Sequence, residues 1–189
     1  MVPWIHRFIR RYHDGFSHLI AFYENPSQTW SQMPAPEDKW QMIKEMTVWV
    51  LPSAIARCLG WGYWNFWAAI FKAFLWYLLI FALMVGIGKL IYILAIFFES
   101  EIDEARSLQL SFFSFLPLLA MGILYVNPLL GVLVPIVSLF GLFILFTAVQ
   151  VQFSALKNKI FLLILIGSAM VLGVWVTGML TGGLFLPKY

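Results

Sequence analysis

Charge is what this chain has least of. Only 11% of its 189 residues are Asp, Glu, Lys or Arg, against about 25% in an ordinary soluble domain. Between Ser107 and Leu156 none occurs at all, a run more than twice the ~20 residues that carry a helix across a bilayer. A single buried core helix is excluded by that length, and Asn127-Pro128 in the middle reads as a tight turn between two membrane spans. Cysteine is nearly absent too. Cys58 alone excludes an intramolecular disulfide and any multi-cysteine metal site. The apolar runs also lack Asp, Glu and His, the residues that form proton relays inside membrane bundles and that ligate haem. His6, His13 and His18 all precede the first apolar run, and no two are four apart, so no metal site is expected. No Gly-rich phosphate loop and no Ser-His-acid set appears. The reading is therefore a non-enzymatic protein with no catalytic residue and no cofactor.

What is present is hydrophobicity, 62% of the chain, arranged in helix-length blocks. The expected fold is all-α, a polytopic bundle with five transmembrane helices. The spans read as Met46 to Trp61, Phe71 to Phe98, Leu108 to Val126, Leu129 to Val149 and Ile160 to Leu184. The first is the weakest, because it contains Pro52 and Arg57 and ends at Gly60-Trp61-Gly62; a re-entrant segment is the alternative. The second exceeds 25 residues, ~40 Å as a helix, and must tilt or protrude from a ~30 Å hydrocarbon layer. Residues 46–189 thus form the membrane domain and residues 1–45 a polar N-terminal segment.

That segment opens with Trp4, Ile5, Phe8, Ile9, Tyr12, Phe16, Leu19 and Ile20 at near-helical spacing, interleaved with Arg7, Arg10 and Arg11. No apolar central region follows the arginines, so it does not read as a cleavable signal peptide. It reads as an interfacial amphipathic helix whose arginines meet anionic lipid or a protein partner. Asn25-Pro26 stops it, and Pro34-Ala35-Pro36 marks a loop.

Orientation follows from the positive residues. With five spans and the N-terminus inside, eight Lys and Arg fall on the cytoplasmic side, including Arg106, Lys157 and Lys159, against three outside. The bias predicts a cytoplasmic N-terminus and an outward C-terminus. Lys157 and Lys159 read as topology determinants that also touch lipid headgroups or a partner. The aromatic group Trp61, Tyr63, Trp64 and Trp67 reads as an interface anchor. The positive charge lacks the basic face of a nucleic-acid binder.

Two features inside the spans stand out. Lys89 is the clear ionisable residue within a run, read first as a snorkelling side chain directed toward Glu99 and secondly as a polar site in the bundle. Ala169, Gly173, Thr177 and Thr181 recur every four residues, and Gly178 to Gly182 forms a Gly-x-x-x-Gly. Small residues allow close helix approach, here to a helix of the same chain, a second copy or a partner subunit. Gly86 and Gly88 suggest a second close approach. The acidic group Glu99, Glu101, Asp103 and Glu104 reads as a solvated connection.

Several short elements resemble the Yip1 family, particularly its short prokaryotic members, over about residues 22–185. They are Asn25-Pro26-Ser27-Gln28-Thr29-Trp30, Leu51-Pro52 in the first span, Phe115-Leu116-Pro117, and Asn127-Pro128-Leu129. The resemblance implies a five-helix membrane protein of trafficking or membrane organisation, set in a bacterial inner membrane. Eukaryotic members associate with small GTPases and with one another. This chain lacks their long acidic and Pro-rich N-terminal region, which argues against GTPase binding. The competing classes are a small channel or transporter subunit, with Lys89, Thr147, Gln150 and Gln152 along a polar path, and an accessory subunit of a larger membrane complex.

Overall fold

The computed structural model describes residues 3–61, 66–131, 133–153 and 159–180, and the side chains of residues 3–12, 61, 128, 135 and 159 lie outside that description. Every regular element among the described residues is helical. Four stretches are long and apolar enough to cross a membrane: Phe66–Phe97, Glu104–Val126, Leu129–Gln152 and Ile160–Leu180. This is the make-up of a multi-pass membrane protein. The expected first span is a helix as well, α3 (Lys39–Trp61), but Lys44, Glu45 and Arg57 leave its apolar part short, and it is not one of the four.

The N-terminal segment forms two helices. α1 (Pro3–Glu24) ends where Asn25 begins α2 (Pro26–Gln32). Proline sits at the first turn of α2, where its missing N–H costs nothing, and the Asn25 side chain accepts from the Gln28 N–H at 3.2 Å, an N-cap interaction. The Thr29 hydroxyl donates to the Ala21 carbonyl at 3.0 Å, tying the two helices together.

The remaining helices are α4 (Phe66–Phe97), α5 (Glu104–Met121), α6 (Pro128–Gly131), α7 (Leu133–Gln152) and α8 (Lys159–Leu180), with a 3-10 turn over Gly122–Val126 after α5. α4 has 32 residues, ~48 Å at 1.5 Å per residue. It ends in a tight backbone turn, with the Ser100 N–H donating to the Ala95 carbonyl and Glu99 at φ 53°, a left-handed conformation usually given to glycine.

α5 is the centre of the molecule. Of its 18 residues, fifteen are buried, from Ala105 and then continuously from Ser107 to Ala120. α3, α4 and α7 pack along it, and α1 and α2 close the side they leave open. α8 stands outside, packed mainly on α4. Lipid is as apolar as leucine, so these helices associate through close packing and internal hydrogen bonds. Both are visible around α5. Gly88 of α4 lies against Leu108, and the Ser111 hydroxyl donates to the Met84 carbonyl at 2.7 Å. Gly141 of α7 sits so near the Ser114 carbonyl that a Cβ there would collide with it. On α8, a Cβ at Gly173 would collide with the Leu83 side chain of α4, Thr177 and Gly178 are buried, and Ala169 is half-buried. The small-residue face therefore meets a helix of the same chain. Thr181 and Gly182 lie outside the described residues. Of the other glycine pair, Gly88 makes the close approach, whereas Gly86 faces open space.

The outward surfaces of α4, α7 and α8 are apolar, with Phe71, Phe74, Leu139, Phe143, Ile164 and Leu172 exposed, as suits helices bathed in hydrocarbon. Two glycine substitutions test this division. Gly141→Leu should destabilise the bundle by about 1–3 kcal/mol, the usual range for overpacking, and lower its melting temperature in detergent, whereas Gly86→Leu should leave the melting curve in place. Equal melting of the two variants would contradict the α5–α7 packing.

Candidate functional site

The polar side chains gather into a collar at the end of the bundle where α3 and α5 begin and α7 ends. Lys39, the first residue of α3, bonds Glu104, the first of α5, at 2.8 Å. That carboxylate raises the Lys39 pKa through the hydrogen bond and its charge. Asp103 accepts the Arg106 N–H at 2.7 Å and caps α5. Two members of the acidic group are thus committed to holding helix ends.

Arg106 joins the N-terminal segment to this collar. One guanidinium nitrogen donates to the Met33 and Pro34 carbonyls, each at 3.2 Å, and to the Gln109 amide oxygen; the other donates to the Trp30 carbonyl at 3.2 Å. Gln109 donates in turn to the Pro34 carbonyl at 3.1 Å. Met33 to Asp38 is not helical, so its carbonyls need partners from outside. Arginine's planar fork supplies several at once, which a lysine cannot do.

Directly beneath, Trp30 is fully buried. Its indole N–H donates to the Ile144 carbonyl of α7 at 3.1 Å, and its ring packs on Phe22 and Phe113 at 4.9 and 5.9 Å between centroids. The six-residue element from Asn25 to Trp30 thus caps one helix, ties it to another and drives an aromatic anchor between α5 and α7. Beside it a cavity of about 420 Å³ opens, lined by residues that include Ser100, Glu101, Asp103, Arg106 and Gln152.

A second polar feature occupies the opposite end. Arg57 is buried, with its guanidinium carbon 3.6 Å from the Trp76 ring centroid and 3.9 Å from that of Tyr125. A cation stacked on aromatic faces and removed from water gains ~2 kcal/mol or more. Trp76 donates to the Ser53 hydroxyl at 3.4 Å, and Gly60 leaves room only for the Tyr125 backbone. The end of α3 is thereby locked to α4 and the 3-10 turn. Among the described residues, no group of His, Cys, Asp and Glu has the placement of a metal site.

The residues singled out from sequence scatter over this frame. Lys89 is exposed on α4. Trp67 is exposed near the start of α4. Tyr63, Trp64 and Lys157 lie outside the described residues, as do the side chains of Arg7, Arg10, Arg11, Trp61 and Lys159. Sequence reasoning took Arg106 as a loop charge and Arg57 as a blemish in a span. The available signals were a lone Trp in the polar stretch Pro26–Gln32 and an arginine among many aromatics.

Searches against family models, curated proteins and solved structures gave no significant match.

The clamp is tested by Arg106→Ala, which removes charge-assisted bonds worth about 1.5–3 kcal/mol. Limited proteolysis should then cut between residues 25 and 38 faster than in the wild-type chain, and Trp30→Ala should show the same opening. Arg106→Lys should be intermediate. Unchanged resistance in Arg106→Ala would show that the segment is held by other means.

Proposed function

We propose that this chain is a non-catalytic integral membrane protein that organises its membrane or assembles partner proteins within it, of the kind the Yip1 resemblance implies. The observation carrying this reading is the use made of interior polarity. Ser107, Ser114 and Thr147 each return a hydroxyl to a backbone carbonyl of the chain three or four residues earlier, and Ser111 donates across to the Met84 carbonyl of α4, so these hydroxyls are occupied by backbone within the bundle. The residues a polar path would need occupy different surroundings. Lys89 is exposed on α4, Thr147 is buried, Gln150 is exposed and Gln152 reaches the Trp30 carbonyl at the collar.

A fifth span formed by α3 is supported by Leu51, Ile55 and Leu59, an exposed apolar stripe at spacing four on its second half. Pro52 and Arg57 within that half are accommodated by neighbouring helices, the setting in which irregular backbone and charge are tolerated at membrane depth. Five spans with the positive bias of the sequence favour a cytoplasmic N-terminus and an external C-terminus, and the Yip1 resemblance favours a bacterial inner membrane. The partner is a membrane protein or a second copy, not a nucleic acid.

Cysteines placed singly along residues 139–150 in a Cys58→Ser background test the reading. A membrane-impermeant thiol reagent should leave all of them unlabelled in native membranes, whereas labelling every third or fourth residue would establish a wet face and a transport role. Isolation from mild detergent should bring down a stoichiometric partner or a second copy. A reporter after Tyr189 should be external; a cytoplasmic one would reject the five-span topology.

A further inference from the structure

α1 lies against the middle of the spans. His18 meets Phe113 of α5 with ring centroids 5.5 Å apart, and Tyr23 meets Phe140 of α7 at 6.2 Å. Phe113 stands near the centre of the 23-residue span Glu104–Val126, and Phe140 near the centre of the 24-residue span Leu129–Gln152. Hydrocarbon covers ~20 residues of a helix, so every placement of it on these two spans takes in both rings. Gly15 sits against Trp49, again near the middle of α3. Measured from the collar ends of α3, α5 and α7, the three contacts lie at ~15, ~14 and ~18 Å, whereas residues 15 and 23 are ~12 Å apart along α1. α1 therefore crosses the bundle at nearly constant depth, inside the bilayer.

Its outward side does not suit acyl chains. Phe16, Ile20 and Tyr23 are exposed by 46, 60 and 78%, but His13, Asp14, Ser17 and Glu24 are exposed among them. Ionisable side chains at this depth are costly against lipid and take partners from protein. The order of these residues indicates which protein. His13, Ser17, Ile20 and Glu24 follow one another at spacings of four, three and four, the register of a helix–helix seam. A base stands at one end of the seam and an acid at the other. Ser17 returns its hydroxyl to the Asp14 carbonyl at 2.7 Å, which keeps the middle of the seam compact. The His13 ring, 3.7 Å from Asp14, has its side chain 83% exposed.

We propose that the outward face of α1 is a dimer interface, covered by α1 of a second copy running antiparallel to it. Two copies with the same topology are related by an axis along the membrane normal, and a two-fold about that axis turns a transverse helix end for end while leaving its depth unchanged. The seam is self-complementary under this operation, as an isologous interface must be. Centred between His18 and Leu19, it sets His13 against Glu24 of the second copy and Ser17 against Ile20 of the second copy, each pair occurring twice. Phe16 falls beside Tyr23 of the second copy along one rim, so the exposed aromatics are covered by the same contact. The proposal rests on the membrane-organising reading and selects the second copy as the partner.

The test uses the full chain with Cys58→Ser in phosphatidylcholine–phosphatidylglycerol vesicles. Energy transfer between labelled copies, followed as lipid is added, should report a dimer. His13→Glu places four carboxylates in two facing pairs and should weaken the dimer about tenfold or more, as like-charge juxtaposition at an interface does. Adding Glu24→Lys to it should restore dimerisation, which a misfolded variant would not do. In mixtures of differently tagged copies, Ser17→Cys should form a disulfide with Ile20→Cys faster than either forms one with its own kind. Absence of energy transfer in the parent chain overturns the proposal. So does undiminished association of His13→Glu, failure of the double variant to recover, or a mixed disulfide no faster than the like pairs. A monomer that still brings down another stoichiometric membrane protein overturns the dimer and leaves the organising role standing, whereas a wet face on α7 overturns that role and leaves the dimer to its own test.

Discussion

A helix in lipid gains nothing by hiding its leucines from its surroundings, since the surroundings are equally apolar, and what remains to hold helices together is contact distance and the satisfaction of carbonyls. The whole molecule is arranged around that constraint at α5. A central helix can be enclosed on all sides only if neighbours approach closely, and here they do so at Gly88, Ser111 and the Gly141–Ser114 contact. The serines of α5 contribute twice, being small enough for the approach and able to return their hydroxyls to carbonyls. The absence of charge from Ser107 onward fits this enclosure, because beyond the first turn of α5, where Glu104 and Arg106 find partners in the collar, every residue to Ala120 is buried.

The two buried or half-buried arginines show how the same side chain answers different local needs. Arg57 lies where α3 meets the 3-10 turn, and aromatic faces of Trp76 and Tyr125 replace water around its flat cation. Arg106 lies where the chain between α2 and α3 must turn without helical hydrogen bonds, and its separate donors collect the carbonyls of Trp30, Met33 and Pro34. One holds helices through stacking and the other holds a loop through hydrogen bonding. Neither role is open to lysine, whose compact ammonium lacks both the plane and the fork.

Hydropathy made the four apolar helices legible to within a few residues, since a run such as Leu129 to Val149 has no other stable use. The turn chemistry at Asn25-Pro26 and Asn127-Pro128 was equally plain. What hydropathy does not encode is which apolar helix is central. α5 is the more polar string, with Ser107, Gln109, Ser111 and Ser114 against Ser168 and Thr177 within α8, and it is the enclosed one, yet by length and hydropathy both rank simply as spans. The collar was hidden for a related reason: Arg106 and Trp30 lie 76 residues apart, and nothing local to either announces the other. α3 read as doubtful because Pro52 and Arg57 are penalised by composition, whereas in the fold Arg57 stands between two rings.

The collar and α1 are joined through α2. α1 reaches the bundle through Gly15, Leu19 and Phe22, contacts that slide easily because they are mostly apolar. A fixed register needs a directional contact, and Trp30 provides it. The indole N–H is bonded to one particular carbonyl of α7, and the Trp30 carbonyl is bonded to Arg106. The Thr29 hydroxyl passes the restraint back to the end of α1 at Ala21. A change that loosened Arg106 would free the loop carbonyls and release Trp30. The position of α1 against the bundle is therefore set by hydrogen bonds that its successor α2 makes to the spans, because its own apolar contacts carry little direction.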